Sequence, residues 1–561
     1  MRTKAQRDGN LRPIAEVAAQ LDLSPDSVEP YGHYKAKLDH RLAAGDPPTG
    51  ARLILVTAIN PTVLGEGKTV HTIGLAQALQ HIGHRAVCTV RQPSMGPIFG
   101  IKGGGTGGGR SCVEPRVEID LHLTGDFHAV AAANNLLAAA IDTSIAMDNP
   151  LHMDPERVTW RRVVDINDRA LRQVRTGLGG SKNGIPRDAA FDITSASEVM
   201  AILALSTDLA DMRRRLGSIV VGETLSGKAI TAEEIGAAGA MAAILKDALD
   251  PTLVQTTEGT PALVHTGPFA NIAHGNCSVV ADRLAGRICD YVVTEAGFGA
   301  DMGAEKFVDI KVPVSGMPPA AAVVVVTVRA LKVHSGKYKV RAGRPLPPEM
   351  AECDVEAVEA GCANLEAHLA NLTAFGIPCV VAINRFPTDH PEELATIRRQ
   401  AEAGGAVAVA ESEVFARGGE GGRALAEAVV AASAGGAVQL RGAYAPKAPL
   451  KTKIEALATG VYGAGSVCFE ARAAEQLGRL ESAGHGGLPI CMAKTQYSLS
   501  HDPKLRGRPT GFEFPVNELR LQAGAGFVVV LAGDIMTMPG MGRTPAYLDI
   551  DLDADGNVTG M

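Results

Sequence analysis

The sequence predicts an α/β fold, a parallel-sheet domain accompanied by smaller additional α/β domains. Three features carry that prediction. Short apolar runs alternate with alanine-rich helical stretches, and one such run leads through a glycine loop into an evident helix. The third is the 63 glycines set against 4% aromatic residues, a balance that suits loops whose main chain must approach a ligand closely. At 561 residues the chain exceeds what one hydrophobic core usually serves, so a large domain with smaller companions is expected.

Taken in order, the opening segment to about residue 48 reads as helical and stops at Asp46-Pro47-Pro48. Arg52 to Ile59 then reads as a buried strand that begins a parallel sheet. Further apolar runs at Ser218 to Val221, Tyr291 to Val293, Ala321 to Val326 and Val380 to Ile383 continue the alternation. Residues 400 to 440 read as helical, whereas Phe527 to Leu531 and Tyr547 to Ile550 read as strands. This change of character places a division near residue 375, between a large region (1–374) and a smaller C-terminal α/β region (375–561). No internal repeat occurs, and the glycine run at 103–109 is the one low-complexity stretch.

The charge balance of 61 acidic and 54 basic residues gives −7, without a basic block that could neutralise a run of phosphodiesters. Nucleic acid is therefore not the expected partner. The first twenty residues lack a secretory core and no uncharged apolar run of about 18 residues follows, which points to a cytoplasmic enzyme without membrane attachment. Nine cysteines with no Cys-x-x-Cys pair read as reduced, mostly buried residues. A structural zinc site is not expected, although His122 and His128 stand close in sequence.

The strand ending at Ile59 runs into Asn60-Pro61-Thr62-Val63-Leu64-Gly65-Glu66-Gly67-Lys68-Thr69, and a helix follows from Val70 to Leu79. Backbone N–H groups at a helix start attract phosphate oxygens, a lysine reaches the β/γ charge, and the next hydroxyl can ligate Mg2+. Lys68 and Thr69 occupy those places, so the large domain is expected to be P-loop NTPase-like. Thr62 stands where the usual pattern has its first glycine. The alternative is a structural turn with an exposed lysine.

This loop resembles the Pro-Thr-x-x-Gly-Glu-Gly-Lys-[Ser/Thr] loop of formate–tetrahydrofolate ligases (formyltetrahydrofolate synthetases), and other blocks agree along the chain. They include Tyr31-Gly32-His33-Tyr34-Lys35-Ala36-Lys37, Arg91-Gln92-Pro93-Ser94-Met95-Gly96-Pro97 and Lys102-Gly103-Gly104. Leu121-His122-Leu123-Thr124-Gly125-Asp126-Phe127-His128 and Gly267-Pro268-Phe269-Ala270-Asn271-Ile272-Ala273-His274-Gly275 are also similar. So are Thr294-Glu295-Ala296-Gly297-Phe298-Gly299-Ala300-Asp301 and Met492-Ala493-Lys494-Thr495-Gln496-Tyr497-Ser498.

The resemblance implies ATP-dependent ligation of formate to tetrahydrofolate, giving 10-formyltetrahydrofolate, ADP and phosphate through formyl phosphate. It implies ATP with Mg2+, a monovalent cation, and a homotetramer. Thr62, Gly65, Glu66, Gly67, Lys68 and Thr69 would hold the nucleotide, with Thr69 on its Mg2+, and Lys102, Gly103 and Gly104 would line the anion site. Arg91, Lys68, Gln92 and His128 would be catalytic, Arg91 on the acyl phosphate. Phe298, Phe386 and Phe415 would lie against the folate or adenine rings, the C-terminal region contributing to that pocket; core packing is the alternative for each phenylalanine. His122, His128 and His274 are either proton-handling groups or satisfied structural histidines. Glu295 and Asp301 would hold Mg2+ or the monovalent cation, or cap a helix.

The chain departs from the family pattern at Gln92, where glutamate is usual, and at Phe415, where tryptophan is usual. Val70 and His71 replace threonines, Arg110 ends the glycine run, and Pro115 to Asp120 also differs. A carboxylate at position 92 could orient Arg91, so Gln92→Glu is expected to raise turnover. Two other readings stay open: a non-catalytic or altered-acceptor paralogue, and a SIMIBI-like switch NTPase. The second is suggested by Asn384-Arg385-Phe386-Pro387-Thr388-Asp389, whose spacing does not match a guanine-reading loop.

Overall fold

The computed structural model describes residues 11–561 except 101–104, 342–343, 436–437 and 534. A twelve-stranded sheet forms its centre. In chain order its strands are β1 (Val28–Pro30), β2 (Ala36–Leu38), β3 (Arg52–Ala58), β4 (Ala86–Val90), β5 (Gly107–Gly108) and β6 (Ser111–Glu114). There follow β7 (Thr252–Thr256), β8 (Pro261–Val264), β9 (Tyr291–Glu295), β10 (Ala321–Val326), β11 (Cys379–Asn384) and β12 (Ala408–Ser412). The spatial order is β1-β2-β7-β8-β4-β9-β3-β10-β11-β12, with β6 against β7 and β5 against β6. From β8 to β12 every pair is parallel, and the β1, β2, β7 edge is antiparallel.

Helices cover both faces of this sheet, so its strands are apolar on both sides. Leu53 and Leu55 enter one core with Leu284 and Val358, while Ile54, Val56 and Ala58 enter the other with Ile73, Leu75 and Leu425. The period-2 alternation of β3 thus separates two cores rather than a core from solvent. The Lys68–His81 helix lies inside the second core, buried from His71 to Leu79. Beyond β12, Ile490–Ala493, Phe527–Leu531 and Glu518–Gln522 form a three-stranded sheet, and Ser466–Phe469 pairs with Glu513–Val516.

Several expectations need correction. Among the described residues of the opening segment, one short α-helix, Ile14–Ala19, precedes β1 and β2, because the pairing of Ala36 and Lys37 with β7 outweighs local helical preference. Val220–Glu223 forms a two-stranded antiparallel ribbon with Ala229–Thr231 instead of joining the large sheet. Tyr547 and Leu548 fall in a 3-10 turn, Ala546–Leu548, and both are exposed, so their apolar character decides nothing. Within 400–440, β12 interrupts the helical stretch and forms the sheet edge.

Arg116–Ala146 is the one stretch, among the described residues, that reaches the length and hydropathy of a membrane-crossing helix. Its Phe127, Val130, Leu137 and Ile141 pack into the core. All nine cysteines are free thiols, and only Cys353 and Cys468 are exposed.

Candidate active site at the carboxyl edge of the sheet

The parallel strands bring their carboxyl ends to one edge, where α/β sheets bind ligands. β3 leads into the Asn60–Gly67 loop, β4 into Arg91, β9 ends at Glu295, β10 precedes Thr327, β11 ends at Asn384, and β12 precedes Phe415. Residues hundreds of positions apart in sequence therefore converge by topology.

The loop is held from within. Glu66, 3% exposed, accepts the Thr62 N–H at 2.8 Å and the Thr62 hydroxyl at 3.0 Å on one oxygen, and the Thr327 hydroxyl at 2.9 Å on the other. Thr62 thus closes the loop through its side chain at the place where a glycine is usual. Gly67 caps the helix at φ +85°, and a Cβ there would stand 2.9 Å from Asn384 Nδ2. Only glycine suits that position, and Asn384 meanwhile donates to the Glu66 carbonyl at 3.2 Å. Lys68 and Thr69 open the helix immediately after.

Glu295 joins the loop to Arg91. Its Oε2 accepts the Thr69 hydroxyl at 2.8 Å, and its Oε1 accepts Arg91 Nε at 3.3 Å and Nη2 at 3.2 Å. Arg91 Nη1 also donates to the Pro268 carbonyl at 3.2 Å. Burial alone would raise the Glu295 pKa, but Arg91, the Thr69 hydroxyl and the nearby Lys68 charge together hold it below the usual carboxylate range. Arg91 retains 24% side-chain exposure while Glu295 has 6%, so the guanidinium stays partly open to solvent although its bonds go to Glu295 and the Pro268 carbonyl.

A second polar group lies beneath. Asp301 does not accompany Glu295; it pairs with the fully buried Lys494 at 2.7 Å and accepts Asn60 Nδ2 at 3.2 Å. Asn60 in turn donates its N–H to His368 Nε2 at 2.9 Å, and its carbonyl meets His334 Nε2 at 2.8 Å. Its side chain also reaches the Gln496 carbonyl at 3.3 Å, so the C-terminal segment braces the loop's first residue. Further along, burial and the neighbouring Asp309 push Glu305 well above the usual range. Burial, reinforced by Lys311, Arg91 and Lys306, keeps His274 neutral, and both its ring nitrogens lack a partner among the described residues.

The other predicted residues scatter more widely. Gln92 is buried, donates its N–H to the Thr266 carbonyl at 2.6 Å, and leaves Oε1 without a donor among the described residues; the carboxylate that holds Arg91 is Glu295. Lys102, Gly103 and Gly104 lie outside the described residues. His128 is exposed and its Nε2 sits 2.9 Å from Nδ1 of His122.

The three phenylalanines are not in one core. Phe298, half-buried, takes φ +61° just after Gly297, an uncommon conformation for a bulky residue that marks functional turns. Phe386 carries the Arg329 guanidinium 3.6 Å above its ring, a cation–π contact no sequence motif announced. Phe415 is 54% exposed, and its carbonyl accepts the Arg110 N–H at 2.8 Å. Arg110 is exposed, and Arg116 is engaged with Asp120 at 3.7 Å.

Sequence reading missed Thr327 and Asn384 as braces of the loop and Arg329 as the partner of Phe386. Asn384 ends β11, and Thr327 and Arg329 follow the end of β10, which is the signal that could have found them.

Comparison with known proteins gives a family model described as formate–tetrahydrofolate ligase, matching residues 3–561. A formate–tetrahydrofolate ligase of Roseiflexus sp. (strain RS-1) is 57% identical over 559 residues, covering 98% of each chain. The Saccharopolyspora erythraea protein of that name is 56% identical over 553 residues, 98% of this chain and 97% of its own. That of Herpetosiphon aurantiacus is 52% identical over 560 residues, covering 98% of each.

Proposed function

The chain belongs to the formate–tetrahydrofolate ligase family and is a ligase, and from that premise we propose that it forms 10-formyltetrahydrofolate from formate, ATP and tetrahydrofolate through formyl phosphate. The observation that carries this reading is the meeting of Lys68, Thr69 and Arg91 around Glu295. A formate oxygen attacks the γ-phosphorus, the bond to the β-phosphate oxygen breaks, and ADP departs. The acceptor amine then attacks the formyl carbon, and phosphate leaves with the former formate oxygen.

In this scheme Thr62 and Gly65, whose N–H groups are bonded within the loop, shape it, and the N–H groups of Glu66 and Gly67 with the Lys68 charge receive the β- and γ-phosphates. The Arg91 fork holds the transferring phosphoryl group and then the acyl phosphate. Lys102, Gly103 and Gly104 supply further main-chain donors. The Thr69 hydroxyl is a hard oxygen donor at the loop's helix start and fits Mg2+ carried with the nucleotide. Bound there, that ion would neutralise charge on the phosphates. Gln92 would act on the acyl phosphate beside Arg91, and His128 would handle the acceptor's proton. Phe298, Phe386 and Phe415 would take the flat faces of pterin or adenine, Arg329 giving way on Phe386.

We extend the proposal to the organisation of the chain. Residues 1–374 carry the phosphate chemistry and residues 375–561, which include β11 and β12 of the large sheet, complete the ring pocket. A monovalent cation, a homotetramer and a cytoplasmic setting complete the reading, with neither nucleic acid nor membrane as a partner.

Oxygen-18 supplied in formate should appear in the released phosphate, read by mass spectrometry. Unlabelled phosphate under full turnover rules out the acyl phosphate. ADP release that ignores formate would indicate a switch NTPase, and no turnover at all a binding paralogue.

A further inference from the structure

Phe415 is the most exposed of the three predicted ring-binding phenylalanines, yet its main chain is held on two sides. The hairpin of β5 and β6, in which Gly108 pairs with Ser111, grips one side. There the Arg110 N–H donates to the Phe415 carbonyl and the Ser111 hydroxyl to the Val414 carbonyl, each at 2.8 Å. On the other side Val414 is fully buried, and a Cβ on Gly74 or Gly422 would stand 2.5 Å or 2.8 Å from its side chain. With the main chain fixed in this way, the rotamer of the ring is the freedom left at residue 415.

Gly107 and Gly109 take positive φ and abut main-chain carbonyls, so backbone geometry accounts for them. Gly108 does not take a positive φ, and the three atoms nearest a Cβ built there all belong to side chains. They are Phe415 Cε2 at 3.0 Å, Phe415 Cδ2 at 3.5 Å and Val70 Cγ2 at 3.6 Å. Val70 lies in the first turn of the Lys68–His81 helix, so the ring borders both the glycine hairpin and that helix. Val70 and Phe415, two positions at which the chain departs from the family pattern, thus meet at one point. We propose that Gly108, with Val70, is a positioning residue for the ring-binding subsite. It admits the Phe415 ring at one angle, so that the exposed side of the ring faces the flat heteroaromatic ring of a substrate, pterin or adenine. This end of the glycine run thereby serves a ring and not an anion. The proposal rests on the reading of Phe415 given above.

The test is steady-state kinetics of the full-length chain, with KM measured separately for tetrahydrofolate, ATP and formate. The proteins compared are the wild type, Gly108→Ala, Phe415→Ala and the double variant. Gly108→Ala presses the ring off its rotamer and should raise KM roughly fivefold for one ring substrate, with kcat and KM for formate near wild type. A rise for tetrahydrofolate identifies the ring as pterin, and a rise for ATP identifies it as adenine. In the Phe415→Ala background the same substitution should change nothing further, since the side chain it displaces is gone. An equal rise with and without the Phe415 ring would mean that residue 108 acts through the main chain of the glycine run, and overturns the proposal. Wild-type KM values in Gly108→Ala overturn it as well.

Should Gly108→Ala not fold, Val70→Leu enters the same space from the helix. It should show the same rise in KM and the same dependence on Phe415, and an effect independent of Phe415 overturns the proposal. Failure of the underlying reading looks different: Phe415→Ala would itself leave KM for both ring substrates unchanged, which removes the ring subsite and the proposal with it.

Discussion

Glu295 ends β9 and Glu305 follows ten residues later; both are almost wholly removed from water, yet they have opposite character. Around Glu295 stand Arg91, Lys68 and a hydroxyl, and its pKa is held down. Around Glu305 stand Asp309 and Asp301, with Lys306 the opposing cation, and its pKa is pushed up. Burial is the largest influence on both, so burial does not separate a working carboxylate from a structural one. The neighbours do: donors that converge from a loop and a separate strand mark the first, and acidic company marks the second.

The largest effect that could break this distinction is expected at Lys68. Lys68→Ala should lower formate-dependent ADP release by about a thousandfold or more with the fold intact, since in the proposed scheme it removes the charge that receives the phosphates. Normal turnover, with an unchanged circular dichroism spectrum, would take the loop out of the chemistry.

Next is Arg91→Lys, which keeps the charge and loses the fork. A fall in kcat of roughly a hundredfold is expected, with KM for ATP little changed. If KM for ATP rises instead, Arg91 serves nucleotide binding and the Glu295 cluster has a different task.

Glu305→Gln sharpens the other half of the comparison. A carboxyl whose folded pKa is raised keeps a proton that the unfolded chain releases above about 4.5, so stability declines as pH rises from there towards the folded pKa. Replacing Glu305 should remove about 1.4 kcal/mol of decline per pH unit in that window, seen in urea unfolding as the pH is raised through it. Glu198, whose pKa burial pushes to about 8, contributes a decline of the same sign and remains in the variant. An unchanged slope would mean that Glu305 is ionised after all.

The smallest effect is expected from Gln92→Glu, and the structure reverses the direction first anticipated. Arg91 already has its carboxylate in Glu295, and residue 92 is 3% exposed with its carbonyl oxygen unpaired. A new charge there should cost about 1–3 kcal/mol of stability and a few-fold in turnover. A rise in turnover would return the control of Arg91 to position 92.

How far the molecule could be read in advance follows from which interactions are local. The strand-loop-helix unit at 52–81, β9, β10 and β11 were legible because period, glycine and apolar runs lie within a few residues of each other. The β1 and β2 strands were not, since the pair is fixed by β2 lying on β7, more than two hundred residues later. Within the site, Lys68, Thr69 and Arg91 could be named from motifs, whereas the task of Glu295 needed the register of β9 against β3 and β4. Asp301 was grouped with Glu295 by proximity in sequence, and only packing reveals that Lys494 claims it.

The brace on Asn60 has a consequence for how the protein is made. Asn60 Nδ2 is satisfied by the carbonyl of Gln496, 436 residues further along, and its neighbour Asp301 by Lys494. At about 5–20 residues per second, a ribosome releases the glycine loop on the order of a minute before the residues that steady it. An unfinished chain therefore carries the loop without its anchor, and the ability to bind nucleotide properly should come only near the end of synthesis.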